Sequence, residues 1–287
     1  MKIIECCPFF NENLVAKIKI EEGEKWIDEL HIAECDKTFR YKDKPYTFAH
    51  VGERIIRYHQ LKGKLAFKKS RWGLTRKPWF IKYKSYPWQN EAIQRNFVCR
   101  QFDYSDSDII ILSDIDEIID SRYADRLVHE VKAHGIVTVK FHFSFFFFNL
   151  FSRNWPGPPD YSYRTFAMTG TRFRQMTMTS DQLRKAGECG DLLQDVHCFD
   201  EIVGFHHSWL GNEQAVAEKL RAYAHAPDDH AEGLFVGDAI NMDYLKDCIA
   251  QQRSIFGPEH ELYLDDSKQF LRSVANLRNT KYNNLFL

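Results

Sequence analysis

The chain has 287 residues, and its 39 lysines and arginines nearly balance 40 aspartates and glutamates, giving a formal net charge of −1. This length suits one large domain with additions, and the balanced charge excludes a general electrostatic attraction to nucleic acid. No stretch approaches the roughly 20 apolar residues of a membrane span, and the first strand leaves no room for a secretion signal. The seven cysteines form neither a disulfide framework nor a Cys-x-x-Cys metal pattern. We therefore expect a cytoplasmic protein without a nucleic acid partner.

The first hundred residues alternate strands with helices. Apolar runs predict strands at residues 2–7, 29–35 and 54–59, and amphipathic spacing predicts helices at residues 11–28 and 88–102. Such alternation predicts an α/β fold with a mainly parallel sheet flanked by helices. Ligands of such sheets bind beyond the carboxyl ends of the strands.

A buried strand that ends in acids is the most informative feature of the chain. Residues 109–112 are Ile-Ile-Ile-Leu, which predicts a strand covered on both faces, and Asp114, Asp116 and Glu117 follow it closely. Because these acids come just past the strand, we expect them to lie outside the core. An Asp-x-Asp in this place suits a divalent cation, Mn²⁺ or Mg²⁺, that keeps positions open for substrate phosphates. The alternative is an Asp-rich turn that caps a helix beginning at Ser121.

The second half of the chain is less regular. We predict a strand at residues 136–148, which ends in four consecutive phenylalanines, and a helix at residues 213–225. His206 stands on a predicted loop that follows a short apolar strand. Residues 1–232 are expected to form the main domain, and residues 233–287 a helical extension packed on the same domain.

Five short motifs, taken in order, resemble glycosyltransferase family 17, the group that includes the β-1,4-mannosyl-glycoprotein N-acetylglucosaminyltransferases. They are Pro8-Phe-Phe-Asn11-Glu12, Ala33-Glu34 with Thr38-Phe39 and Lys44-Pro45, Trp88-Gln-Asn-Glu91 with Arg95, Ser113-Asp-Ile-Asp-Glu-Ile118, and Gly204-Phe-His206-His-Ser208. The resemblance implies a GT-A type fold and an inverting transferase. The implied donor is a nucleotide-diphosphate sugar, with a UDP-sugar expected and N-acetylglucosamine a candidate sugar, and the implied acceptor is a glycan.

The acids and one histidine have expected roles around a cation. Asp116 is the first candidate for direct ligation, while Asp114 is expected to reach the metal through water or to hold the donor ribose. Glu117 is expected to orient them. His206 is a candidate late ligand, and the alternative is a structural hydrogen-bonding group. The cation would neutralise the charge that grows on the departing diphosphate.

Other motif residues are candidates for donor binding. Arg95 is expected to clamp a phosphate with Glu91 as its partner, and the alternative is a surface ion pair of little energetic value. Glu34, Asn11 and Glu12 are expected near the base and ribose of the donor. Asn11 and Glu12 are equally candidates for a helix cap.

Inversion in a single displacement needs a general base for the acceptor hydroxyl, and a carboxylate is usual. Asp195 is the first candidate and Asp191 the second, because both lie in a Gly-containing segment that precedes His206. Asp181 and Glu201 are nearby competitors, and the sequence alone does not choose among them.

Two other functional classes stay open. An apolar strand followed by Asp-x-Asp also opens the haloacid-dehalogenase-like phosphatases, in which the first Asp attacks phosphorus. A non-catalytic carbohydrate-binding protein would explain tryptophans in loop-like segments, since their faces suit sugar rings. These residues are Trp72, Trp79, Trp88 and Trp155, and each can instead pin a loop to the body of the protein.

Overall fold

The computed structural model describes residues 1–69, 85–153, 163–190, 194–223, 230–237 and 239–287. In chain order, its strands are β1 Ile3–Phe9, β2 Glu29–Cys35, β3 Ile56–Leu61, β4 Ile109–Leu112, β5 Glu117–Ile119, β6 Ile136–Phe145, β7 Leu150–Ser152, β8 Tyr163–Thr169, β9 His197–Ser208, β10 Phe235–Val236, β11 Ala239–Ile240 and β12 Leu262–Leu264. Its helices are α1 Asn13–Gly23, α2 Gly63–Ala66, α3 Ser85–Val98, α4 Ala124–His134, α5 Gly170–Gln175, α6 Ser180–Cys189, α7 Glu213–Ala222, α8 Met242–Ala250 and α9 Arg272–Leu277. Short 3₁₀ turns occupy Ser121–Tyr123 and Asn283–Leu285.

The central sheet is parallel through its first strands. β1 pairs in parallel with both β2 and β4, and β2 pairs with β3 in the same sense. All four residues of β4 are buried, which explains its unbroken aliphatic sequence. Helices flank the sheet, so the predicted α/β class is confirmed.

Antiparallel strands extend the sheet on the other side of β4. The order across the main sheet is β12-β7-β6-β8-β4-β1-β2-β3. β9 lies parallel to β6 and antiparallel to β5, so residues 204–206 pair with the short strand that follows Asp116. A Cβ at Gly204 would lie only 2.0 Å from the carbonyl oxygen of Ile118, so this close approach requires glycine.

Several predicted boundaries shift in the structure. The helix predicted at residues 11–28 ends at Gly23, and the helix predicted to begin at Ser121 starts with the 3₁₀ turn before α4 continues it. The largest change is β9, because twelve residues form a strand where we predicted a short strand and then a loop.

Residues 233–287 pack on the same core, but they are only partly helical. Leu245 of α8 joins an apolar cluster with Phe145 of β6, and Val274 of α9 joins one with Phe148. β12 pairs antiparallel with β7 at the edge of the main sheet, so the predicted helical extension also contains strands. Across the described ranges, no helix combines the length and apolar character needed to cross a bilayer.

Candidate active site

A cleft of about 230 Å³ lies beyond the carboxyl ends of β1 and β4, where a parallel sheet is expected to bind ligands. The candidate residues named from the sequence that line it are Glu12, Trp88, Glu91, Arg95, Asp114, Asp116, Asp181 and His206. Further lining residues that the sequence analysis did not single out include Arg164, Arg184, Lys185, Glu188, Lys219 and Tyr223. The fold therefore brings most of the predicted residues to one place and adds several cations.

Asp114, the first acid after β4, is held by two arginines. Nη2 of Arg95 donates to both of its carboxylate oxygens at 3.1 Å, and Nη2 of Arg184 lies 2.7 Å from Oδ2. The backbone N–H of Asp114 donates to Oε2 of Glu117 at 3.0 Å. Asp114 thus fixes two guanidinium groups at the wall of the cleft.

Asp116 is buried, with 6% of its surface exposed. Its Oδ2 accepts a hydrogen bond from Nζ of Lys219 at 3.0 Å, and its Oδ1 lies 3.3 Å from Nε2 of His206. Burial acts to raise the pKa of this carboxyl, but Lys219 and His206 hold the pKa well below its usual range. Our expectation of an acid outside the core was wrong, because α7 and β9 cover the turn after β4.

Glu117 is fully buried at the start of β5, so it too departs from that expectation. Its Oε2 accepts from Oγ1 of Thr165 at 2.7 Å, and its Oε1 lies 2.7 Å from Nη1 of Arg184. Burial acts to raise the pKa of Glu117, but Arg184 and His206 lower the pKa to about 2. The ionised carboxylate holds both Arg184 and the backbone of Asp114 in place.

His206 lies within β9 and not on the predicted loop. Its ring packs edge-on against Phe143 with 4.2 Å between centroids, and its Nδ1 has no hydrogen-bond partner among the described residues. The next residue, His207, lies 2.7 Å through Nδ1 from Oγ of Ser144, and burial lowers its pKa to about 3. His207 is therefore a neutral core residue, whereas His206 meets Asp116 at the cleft.

Lys219 of α7, a residue that the sequence analysis missed, places a partly buried cation in the cleft. Its Nζ lies between Oδ2 of Asp116, at 3.0 Å, and Oε1 of Glu12, at 3.2 Å. The other oxygen of Glu12 accepts from the backbone N–H groups of Phe10 and Asn11. Two carboxylates from different strand ends thus converge on one positive charge.

Arg95 occupies the centre of a buried ionic network. Besides Asp114, it donates to Oε1 of Glu91 and to Oδ1 of Asp181, both at 2.9 Å. Because Arg95 is only 5% exposed, the alternative of a surface ion pair is excluded. Trp88, on the same helix, packs its ring edge-on to Tyr223 with 6.4 Å between centroids.

Glu34 and Asn11 lie near the cleft, but they are not among its lining residues in the part of the chain that the structure describes. Glu34 is fully buried, and its carboxylate accepts from Nζ of Lys44 and the hydroxyl of Tyr58, both at 2.6 Å, and from the backbone of Thr47. These contacts anchor the loop that follows β2. Nδ2 of Asn11 donates at 3.4 Å to Glu218 of α7.

The structure does not bring Asp195 to the cleft. Asp195 is exposed, and its carboxylate pairs with Nη2 of Arg172 at 2.5 Å. Asp191 lies outside the described residues, as do Trp72, Trp79 and Trp155.

The residues of the cleft can be tested for their fit to a divalent cation. Within the described ranges, three side chains bring possible metal-ligand atoms within 4.8 Å of one another. They are Glu130, His134 and His197, and they do not line the cleft. The predicted set of Asp114, Asp116 and His206 does not converge in that way. The carboxylates of Asp116 and Glu12 nevertheless share one cation already, with the His206 imidazole beside them. The ligand atoms of Asp116, Glu12 and His206 do not all lie within 4.8 Å of one another either, although carboxylate oxygens and imidazole are ligand types that Mn²⁺ accepts.

Comparisons with known proteins agree with the motif order. The family model described as Glycosyltransferase family 17 matches residues 1–260. Among solved structures, the chain is similar to "Crystal structure of S. aureus TarS 1-349", with 10% identity and a TM-score of 0.39, over 77% of this chain and 64% of that one. The chain therefore spans less than two thirds of that structure.

A second similar structure is that of the galactosyltransferase LgtC in complex with donor and acceptor sugar analogues. The identity is 10% and the TM-score 0.30, over 79% of this chain and 80% of that one. A comparison with curated proteins found no match.

Proposed function

This chain belongs to glycosyltransferase family 17, and from that premise we propose that it transfers a sugar from a nucleotide-diphosphate donor to a glycan hydroxyl, with inversion at the anomeric carbon. The observation that carries the proposal is the cleft beyond β1 and β4, where the cations Arg95, Arg184 and Lys219 are held in place by ionised acids. A diphosphate leaving group needs such fixed positive charge, because its own negative charge grows as the bond to the sugar breaks.

We propose that a Mn²⁺ or Mg²⁺ ion takes part, held by Asp116, Glu12 and His206. When bound, such an ion would neutralise charge on the departing diphosphate without transferring a proton. Arg95 and Arg184 present planar guanidinium groups suited to phosphate oxygens. Asp114 stays a candidate for a water-mediated contact to the ion or for the donor ribose.

The donor that we propose is a UDP-sugar, with N-acetylglucosamine as a candidate sugar, and the acceptor is a glycan. Trp88 supports the sugar part of this proposal, because an aromatic side chain in the cleft can stack on the apolar face of a sugar ring. We also propose a GT-A type catalytic domain at residues 1–232, with residues 233–287 packed on it. We also propose cytoplasmic action, because the spacing of the seven cysteines in the sequence does not form a disulfide framework.

The two alternative functions are less well supported by the same contacts. A haloacid-dehalogenase-like phosphatase would use Asp114 as its nucleophile, yet both oxygens of Asp114 accept from arginine, which weakens their nucleophilicity. A carbohydrate-binding protein without catalysis would not need the buried charges around Asp116, because sugars are neutral ligands.

A thermal-shift screen tests the proposal. The protein is heated with a panel of nucleotide sugars, with free nucleotides and with phosphate monoesters, each with and without MnCl₂. Because ligands stabilise the native state by mass action, one nucleotide sugar is expected to raise the melting temperature most, and more with Mn²⁺ than without it. Release of the free nucleotide from that donor would then show turnover. A larger shift with phosphate monoesters would contradict the proposal and favour a phosphatase.

A further inference from the structure

The carboxylates that line the cleft differ in what holds their oxygens. Asp181 has one oxygen on Arg95 and the other on Lys185, each at 2.9 Å. Oε1 of Glu188 lies 3.3 Å from Nε of both Arg164 and Arg184, and although burial acts to raise the pKa of Glu188, those arginines lower it. Glu188 is therefore a weak proton acceptor, because its charged form is already stabilised, and Asp181 has no oxygen without a cationic partner.

The acids after β4 and β1 have partners on both carboxylate oxygens. Asp114 and Asp116 have both oxygens on arginine, lysine or histidine. Glu12 has one oxygen on Lys219 and the other on two backbone N–H groups. None of these three has an oxygen left over for the proton of a substrate hydroxyl.

Glu91 is arranged differently. Its side chain is 7% exposed, and Arg95 one turn further along α3 holds Oε1 at 2.9 Å. Oε2 is buried and has no hydrogen-bond partner among the described residues. A buried carboxylate oxygen without a partner is costly, so its persistence in a cleft indicates that a ligand group completes it.

The surroundings of Glu91 also favour proton uptake. Burial raises the pKa of this carboxyl most, and the negative charge of Asp114 raises it further, while Arg95 and Arg184 act in the opposite direction. Tyr223, at the end of α7, also faces the carboxylate, and Glu91 contributes to raising the pKa of that phenol. Among the cleft carboxylates described above, Glu91 combines a raised pKa with an unoccupied oxygen, which are the properties of a general base.

We propose that Glu91, rather than Asp195 or Asp191, is the general base of the transfer, an inference that rests on the proposed function. The acceptor hydroxyl oxygen forms a bond to the anomeric carbon, and the bond from that carbon to the diphosphate oxygen breaks. The electron pair of the broken bond leaves with the diphosphate, and the hydroxyl proton passes to Oε2 of Glu91. Arg95 keeps Oε1 fixed, so that Oε2 is the oxygen presented to the acceptor.

The test compares Glu91→Gln with the wild-type enzyme and with Glu22→Gln. Glu22 is a matched control, because it is a buried glutamate paired with Lys25 and Ser121 away from the cleft. Nucleotide release is measured with the donor chosen in the thermal-shift screen, and water serves as the acceptor in the absence of a known glycan. We expect Glu91→Gln to lower kcat by about 10² to 10⁴-fold, the usual contribution of a general base, while donor affinity measured by calorimetry stays close to wild type.

Two further measurements separate a base from a merely structural residue. The kcat of the wild type is expected to fall on the acid side as Glu91 becomes protonated, and this limb should disappear in Glu91→Gln. In Glu91→Ala, added azide or formate should restore part of the lost turnover, because a small anion can take the proton in the vacated space. Glu22→Gln should show neither effect.

These experiments distinguish failure of the general-base assignment from failure of the proposed function. Wild-type release of nucleotide together with equal release by Glu91→Gln would overturn the assignment of the base and leave the proposed function standing. The assignment would also be overturned if Glu91→Gln lost activity mainly through weaker donor binding and azide did not restore turnover to Glu91→Ala. No nucleotide release by the wild type from any nucleotide sugar would overturn the proposed function and this inference together.

Discussion

Nζ of Lys219 lies 3.0 Å from Oδ2 of Asp116, although 103 positions separate the two residues in sequence. Both side chains are largely withdrawn from solvent, with 13% and 9% exposure. Such a pair differs from a surface salt bridge, because removing Asp116 leaves the Lys219 ammonium group, which is shielded from water, with Glu12 as its one remaining partner among these acids. Asp116, which we propose to hold the cation, therefore also contributes to the stability of the fold.

Replacement of Asp116 by alanine should abolish turnover and also destabilise the protein. We expect a loss of about 1.5 to 3 kcal/mol in the free energy of unfolding, since Lys219 loses a charged hydrogen bond and keeps Glu12 as its acidic partner. Urea unfolding followed by circular dichroism measures this loss. The double variant Asp116→Asn with Lys219→Met should recover much of the stability while staying inactive. An Asp116→Ala protein as stable as the wild type would show that the ion pair contributes nothing to folding.

Replacement of Arg95 by lysine should be strongly destabilising. A single ammonium group cannot reach Glu91, Asp114 and Asp181 together, and hydrogen bonds to charged groups contribute about 1.5 to 3 kcal/mol each. Arg126→Lys is the matched control, because Arg126 is 41% exposed and pairs with acids at the surface. That control should cost less than about 1 kcal/mol. Equal effects of the two exchanges in urea unfolding would contradict this view of Arg95.

Glu117 should make the protein sensitive to acid. Its pKa is about 2 in the folded state, against an ordinary value of 4.5, so the unfolded chain binds the proton more readily. The stabilisation is fully present above pH 4.5 and is lost as the pH falls toward 2. The difference in unfolding free energy between wild type and Glu117→Gln should therefore shrink across that interval. A difference that is constant from pH 6 to pH 3 would show that Glu117 does not titrate in this way.

Replacement of Gly204 by alanine should disrupt the pairing of β5 with β9. The added Cβ would meet the backbone oxygen of Ile118 at 2.0 Å, and backbone cannot give way as a flexible side chain does. We expect a loss of at least about 3 kcal/mol, at the upper end of overpacking effects. Gly52→Ala is the control, because its Cβ would meet nothing within 4 Å and its cost of about 1 to 2 kcal/mol would come from its positive φ alone. Thermal unfolding of both variants measures the two losses of stability, and equal losses would contradict the prediction.

The sequence was sufficient to predict those features that depend on local pattern. The aliphatic run at residues 109–112 predicted β4 with its observed bounds, and the acids that follow it were expected beyond the strand, at the carboxyl edge of the sheet, where the cleft lies. The helix predicted at residues 213–225 is present as α7, somewhat shorter. Each of these inferences rests on the spacing of neighbouring residues, which is a local property.

The charges that surround the acids could not be predicted in the same way. Lys219 reaches Asp116 only because β9 pairs with β5 and sets α7 over the cleft, and such long-range pairing has no local signature. Arg184 reaches Asp114 from α6, and this contact could not be predicted either. The sequence does contain a signal for the start of that helix. Thr179 and Gln182 form a capping box that marks its start. Even so, a helix start does not reveal which face of the helix meets the site.

The pairing of β5 with β9 brings together two segments that the ribosome synthesises at different times. The ribosome produces the acidic strand end well before it produces the strand and the lysine that enclose it. Asp116 therefore stays hydrated on the nascent chain until residue 219 has emerged. The cleft that we propose to bind the donor is therefore complete only after α7 has been synthesised.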